Sequence, residues 1–268
     1  MRIEPALPLA FSHFGQRAIN QDTLFPAVGL ATSDTVLFVV CDGMGGADKG
    51  EIASQLLCDT IIRYAQTLGD PVFDVVHLRT AIGLALDAYR AYGREHPLVG
   101  RMGSTLTLLQ FHERGATVAH IGDSRVYQLR DGVVIFQTRD HKQVNDMVAN
   151  GIISATQALT HPWRNRLSRA VVTEPGDADK PAQPVPTPDI TLLADVRAGD
   201  YFFMCTDGVL ERVDDYALQT LLAGNIPDQA KLQSLLTMCD GQTKDNYSGY
   251  LIGISHVMQT EPVSVLFS

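Results

Sequence analysis

The chain predicts an α+β protein in which two antiparallel sheets lie face to face and helices pack on the outside. Three observations lead there. Strand patterns arrive in meanders rather than alternating singly with helices, which argues against a doubly wound parallel sheet. Two helical stretches carry their apolar residues on one face, as helices lying over a sheet do. The chain of 268 residues, 45% hydrophobic and 19% charged, is long enough for a substantial core.

In chain order, "TVLFVVC" (35 to 41) reads as a buried strand. Residues 50 to 66 place Ala53, Leu57, Ile61 and Tyr64 at helical spacing, and residues 77 to 93 do the same with Leu78, Ile82, Ala85, Leu86 and Tyr89. From Ser104 the short β-rich runs "STLTLLQF", "GATVAHIG", "RVYQL" and "VVIFQT", separated by "HERG", "GDS" and "RDG", predict an antiparallel meander. Residues 140 to 173 are polar and partly helical, and 174 to 189 hold five prolines and predict a loop. Strands return with "ITLLA" and "DYFFMCT", helical patterns occupy 214 to 223 and 228 to 240, and "GYLIGISH" (249 to 256) is a last strand. With no internal repeat and no change of composition, residues 1–268 read as one domain. The apolar tail 261 to 268 reads as an added strand or a partner contact.

The net charge of −9 and pI of about 5.3 argue against nucleic acid or an anionic membrane as partner, since those surfaces are bound through basic patches. The four cysteines, Cys41, Cys58, Cys205 and Cys239, are too few and too scattered for a disulfide framework and form no CxxC pair. They read as buried, reduced thiols. The first residues contain Glu4 and two prolines where a signal peptide needs an unbroken apolar core. No run approaches the ~20 apolar residues of a membrane span. A cytoplasmic protein is the expectation.

Five aspartates sit beside strand ends. Asp42 follows the run "FVVC" and opens a glycine-rich turn, and Asp207 repeats the device in "FFMCTDG". Asp22 lies in "RAINQDTLF", Asp123 in "AHIGDSRVY" and Asp245 in "TKDNYSGYLIGI". Hard cations such as Mg²⁺ and Mn²⁺ want oxygen ligands, which carboxylates from several strands can supply together. Any one of the five is more simply read as a turn residue bonded to its own backbone, a reading that weakens for the five together, most at Asp42 and Asp207, which follow apolar strands. Glycine beside Asp42 lets the chain turn sharply and approach a phosphate or metal closely.

As an ordered set, "RAINQD", "CDGMGG", "GSTLTLL", "AHIGDSRVY", "TRDH", "CTDGV" and "KDN", spread over residues 17 to 246, resemble the metal-dependent protein phosphatases of type 2C in their bacterial form. The resemblance implies an α-β-β-α sandwich and a centre of two Mn²⁺ or Mg²⁺ ions, with a third in bacterial members. It also implies hydrolysis of phosphoserine and phosphothreonine in proteins, opposite a bacterial Ser/Thr kinase, by a monomer. By the same resemblance Asp42 bridges two ions, the Gly43 carbonyl ligates the second, and Asp207 and Asp245 complete the first. Asp22 holds metal-bound water, Asp123 ligates the third ion, and Arg17 contacts phosphate. Gln21 stands where many members carry Glu, which weakens the second site. Met44 stands where animal members carry a histidine proposed as general acid, and a thioether donates no proton.

Residues 140 to 175 resemble the family's flap, and "HPWRNRLSR" sets Arg164, Arg166 and Arg169 around Trp163, suited to guiding a phosphopeptide. The other reading of this stretch is a solvated helical face with Trp163 packed down. The histidines show no ligand spacing. "CDG" is not the Cys-x5-Arg arrangement of a thiol phosphatase. Two rivals share the fold: a silent regulatory module, which loss of Asp42, Asp207 or Asp245 would have marked, and a metallohydrolase of small phosphate esters.

Overall fold

The computed structural model describes residues 1–45, 49–69, 71–174 and 184–258. The tip of the glycine-rich turn, most of the proline-rich stretch and the tail 261–268 therefore lie outside the described residues. The strands are β1 (Arg2–Pro5), β2 (Leu9–His13), β3 (Asp22–Phe25), β4 (Leu37–Gly45), β5 (Met102–Ser104), β6 (Leu106–His112), β7 (Gly115–Ile121), β8 (Arg125–Arg130), β9 (Val133–Gln137), β10 (Val171–Thr173), β11 (Asp189–Leu193), β12 (Tyr201–Cys205) and β13 (Tyr247–Met258). The helices are α1 (Gly50–Thr67), α2 (Val75–Glu95), α3 (Gln143–Ala149), α4 (Ala155–Thr160), α5 (Asp207–Leu210), α6 (Asp215–Ala223) and α7 (Asp228–Cys239).

Two antiparallel sheets result. One runs β1-β13-β12-β8-β9 with β2 also on β13, and the other runs β10-β5-β4-β6-β7-β11 with β3 also on β4. Alternation along each strand decides which layer its side chains enter. On β4, Phe38 and Val40 enter the core between the sheets while Val39 and Cys41 face α1 and α2. On β12, Phe202 and Met204 enter the inter-sheet core while Phe203 and Cys205 face α6 and α7. The outcome is four layers, helices over sheet over sheet over helices, with aromatic contacts between Phe38, Phe111, Tyr250 and Phe202 tying the two sheets together.

The expected strand over 35 to 41 is longer than its apolar run. β4 continues through Asp42 to Gly45 by exchanging partners: residues 37 to 40 pair with β6, and residues 43 to 45 pair with β5. The N-terminal strands β1 and β2 carry no clear period in the sequence. They pair with opposite ends of β13, and Pro5, where the β1 register shifts, is tolerated at the edge of the sheet.

Residues 140 to 169 leave the sheet as an excursion containing α3 and α4. Its neck is drawn together by a Lys142–Leu167 bridge, Gln143 N donating to the Arg166 carbonyl at 2.8 Å, and Ser168 N donating to the His141 carbonyl at 2.8 Å. At the base of this neck His141 stacks on His120 with ring centroids 4.4 Å apart. Its Nδ1 accepts from Gly122 N, so Nε2 carries the proton and donates to Asp189 Oδ2 at 3.1 Å. Burial holds His141 below the ordinary imidazole value of 6.5, at about 4, against the pull of Asp189. Between pH 6.5 and 4 the unfolded chain therefore binds a proton that the folded chain refuses, so His141 destabilises the fold as pH falls through that window. His141→Gln is expected to melt lower at neutral pH but to lose less Tm than the wild type between pH 6.5 and 4. Parallel slopes in thermal unfolding of the two proteins would contradict this.

A candidate metal centre

Gly43 sits where β4, the Gln21 backbone and the start of α1 meet. Its N–H donates to the Gln21 carbonyl at 3.0 Å, and a Cβ there would lie 2.0 Å from the Gly50 carbonyl oxygen. Glycine is needed for this close approach rather than for an unusual dihedral. Asp42, one residue earlier, is held by its backbone: its N–H donates to Thr105 Oγ1 at 3.0 Å, and its carbonyl accepts from Thr105 N and from Ser104 Oγ. Thr105 Oγ1 also bonds Ser124 Oγ at 2.8 Å, so one hydroxyl ties the mount of Asp42 to the turn carrying Asp123.

Asp22 faces Asp42 across the β3–β4 pair. Its Oδ2 accepts from Thr206 Oγ1 at 3.0 Å, while its Oδ1 is buried with no hydrogen-bond partner. Asp207 follows the Thr206 cap as the first residue of α5. Asp245 precedes β13; its Oδ2 takes Arg17 Nη2 at 2.8 Å and its Oδ1 accepts from Asn246 N. The Asn246 side chain in turn bonds the carbonyls of Phe14 and Ile19 and the N–H of Gln21, which fixes the loop bearing Arg17 beside Asp245. Gly15 in that loop takes φ +57°, and a Cβ would meet the Asp245 carbonyl at 2.0 Å.

Arg17, Gln21, Asp42, Gly43, Met44, Asp123, Asp207 and Asp245 thus line one cleft of about 710 Å³, with Asp22 behind them. Crowded carboxylates in a buried place resist ionisation. Burial, with the neighbouring aspartates adding to it, pushes Asp22 and Asp207 up to about 7 and Asp42 well above the carboxylate range. Burial raises the Asp123 carboxyl as well, against the pull of Lys142, whose Nζ lies 3.1 Å from Asp123 Oδ2. Asp123, expected to ligate a third ion, is thus ion-paired to a side chain of its own chain.

The arginines divide. Arg166 and Arg169 line the cleft with the Asp residues, whereas Arg164 lines a neighbouring pocket with Arg125, Asp140 and Lys142. That corrects the expectation of one cluster: the 161–169 stretch is not helical, so spacing does not bring the three together. Arg169 is bound bidentately by Asp189, and the Arg166 guanidinium stands 5.5 Å from the ring centre of Trp163, which is 47% exposed. Trp163 is therefore not packed down. Spacing also missed that His120, His141 and Asp189 converge, with potential ligand atoms within 4.8 Å. Their N–H groups are already spent on Arg139 O and Asp189, and Arg169 adds a positive charge beside them. Thr206, Ser104, Thr105, Asn246 and Lys142 were not singled out by sequence reasoning, although all five lie in or beside the quoted motifs.

Cys41 and Cys205 face the helical layers, not the cleft, and burial pushes both thiols up. Neither is a thiolate nucleophile.

The all-oxygen donor set at the end of a four-layer sandwich, with a buried carboxylate oxygen left unbonded, defines a protein suited to hard divalent cations. The family model described as protein phosphatase 2C matches residues 11–226, and this chain belongs to that family. The serine/threonine protein phosphatase PstP of Mycobacterium tuberculosis is 32% identical over 216 residues, which covers 80% of this chain and 38% of that protein. The chain thus spans well under half the length of that curated relative. The crystal structure of the M. tuberculosis phosphatase aligns with TM-score 0.74 and 30% identity over 93% of this chain and 98% of that one. A structure of the PstP catalytic domain in complex with two manganese ions aligns with TM-score 0.70 and 29% identity, over 92% of this chain and 97% of that one. Among the described residues no helix is long and apolar enough to cross a membrane.

Proposed function

We propose that this chain is a metal-dependent protein serine/threonine phosphatase whose centre takes two divalent ions, Mn²⁺ in preference to Mg²⁺. The observation that carries the reading is the gathering of Asp42, Asp207 and Asp245 from both sheets at one cleft, with Asp22 paired across from Asp42 and its Oδ1 buried and unbonded. Asp42, Asp207, Asp245 and the Gly43 carbonyl would hold the ions, with Asp22 behind them. When bound, such ions polarise phosphoryl oxygens and lower the pKa of water.

The rest falls to the chain's own residues. Arg17, pinned by Asp245 at the cleft wall, offers a permanently charged fork to the phosphate dianion. Met44 lines the cleft and donates no proton, so the departing alkoxide is protonated by water. Beyond the acidic floor, Leu86, Val172, Pro184 and Pro186 give apolar walls suited to the residues flanking a phosphorylated side chain. That favours a phosphoprotein, modified by an opposing Ser/Thr kinase, over a small ester. A regulatory module would have no use for four carboxylates held against their own repulsion. On this reading the chain acts as a monomer.

Phosphate release from a phosphothreonine peptide in saturating Mn²⁺ tests the reading, and no release would contradict it. Among the described residues, Arg166 is the flap arginine in the cleft without a carboxylate fork. Arg166→Ala is expected to raise KM for the peptide about tenfold, equivalent to about 1.4 kcal/mol, and to leave a small aryl phosphate unchanged. Equal effects on both substrates would place Arg166 in the general site.

A further inference from the structure

Beside the cleft stands a fixed ammonium that the proposed function does not use, that of Lys142, which lines the neighbouring pocket with Arg125 and Asp140. Asp123 stands in the turn between β7 and β8, 5% exposed, with its side chain at the cleft. Lys142 Nζ lies 3.1 Å from Asp123 Oδ2 and 3.2 Å from Asp140 Oδ2, and the lysine side chain is 18% exposed. Asp140 is itself oriented, its oxygens taking Arg125 Nε at 2.6 Å and Arg125 Nη2 at 2.9 Å.

The backbone of Lys142 cannot drift away from this arrangement. It is paired with Leu167 across the neck of the 140–169 excursion, and Lys142 O accepts from Asn145 N and Asp146 N at the start of α3. The ammonium is thus delivered to Asp123 by the same backbone that closes the neck.

We propose that the Lys142 ammonium takes the place of a divalent ion at Asp123, so that this chain binds two ions where three carboxylate-rich positions are available. The inference rests on the metal reading above. A divalent ion at Asp123 would have to sit against an ammonium about one hydrogen bond away, or expel it and leave a largely buried ammonium with only Asp140, which Arg125 already holds. Lys142 is then a positioning residue: it neutralises Asp123 in place of a bound ion and fastens the excursion to the edge of the centre.

Counting bound Mn²⁺ by the EPR signal of the free ion during titration tests this without reference to turnover. The wild type is expected to bind two ions. Lys142→Ser and Lys142→Met, the second keeping the apolar stem should the first fold poorly, are expected to bind a third ion at least tenfold more tightly than the wild type. Adding Asp123→Asn to either is expected to abolish that third ion. A wild type that binds three ions, the third lost in Asp123→Asn, would overturn the inference alone. So would Lys142 variants that stop at two. A wild type that binds none would overturn the metal reading beneath it.

Discussion

Replacing Asp42 or Asp207 with Asn is expected to lower kcat on a phosphothreonine peptide by about three orders of magnitude, roughly 4 kcal/mol of barrier, while the protein stays folded. The two side chains enter the cleft from different sheets, Asp42 from within β4 and Asp207 from the first turn of α5. Each mount is independent of the carboxylate: Asp42 is held through its backbone by Ser104 and Thr105, and Asp207 follows Thr206, which exchanges hydrogen bonds with Ser248. An amide is nearly isosteric and keeps these bonds, but it does not bring the negative charge that hard cations require. In chelator the variants should melt no lower than the wild type, because each removes one member of a set of buried, mutually repelling carboxylates. Near-normal turnover in either folded variant would reduce these aspartates to turn residues.

The second large effect lies in the core between the sheets. Phe38 is fully buried and meets Phe111 and Tyr250 edge to face, with ring centroids 6.2 and 5.2 Å away. It belongs to β4, the strand that goes on to place Asp42. Phe38→Ala leaves a cavity that close-packed neighbours on two opposed sheets cannot collapse into, and a loss of about 3–5 kcal/mol is expected. Chemical denaturation should show the midpoint fall with the slope unchanged. A loss under about 1 kcal/mol would mean that the sheets are not locked through this residue.

Much of this was legible in the chain, for physical reasons. β4, β12 and the two long helices bury whole faces, so their apolar periods stand out of the sequence. The family's motifs fixed the order in which carboxylates meet the cleft. The parts that stayed hidden depend on partners distant in sequence. β1 and β2 owe their form to β13, more than 230 residues away, and not to their own pattern. β4 exchanges β6 for β5 past Val40, and Gly43 there lets the Gly50 carbonyl come close, where a linear reading sees only a glycine-rich turn. Arg164 parts from Arg166 and Arg169 because the segment between His161 and Arg169 is irregular, and no period predicts where irregular backbone points. Lys142 directly follows the quoted "TRDH", yet nothing in that motif shows which carboxylate its ammonium meets. Its pairing with Asp123 exists only because the neck of the excursion brings it there.

The most direct measurement is phosphate release from a phosphothreonine peptide by the purified chain in excess EDTA, followed by addition of Mn²⁺ beyond the chelator. On the proposed reading the carboxylates of Asp42, Asp207 and Asp245, with Asp22 beside them, need cations before the site accepts a phosphate dianion. The account predicts no turnover in chelator and recovery on adding Mn²⁺, with Mg²⁺ restoring less. Undiminished turnover in excess chelator would contradict it.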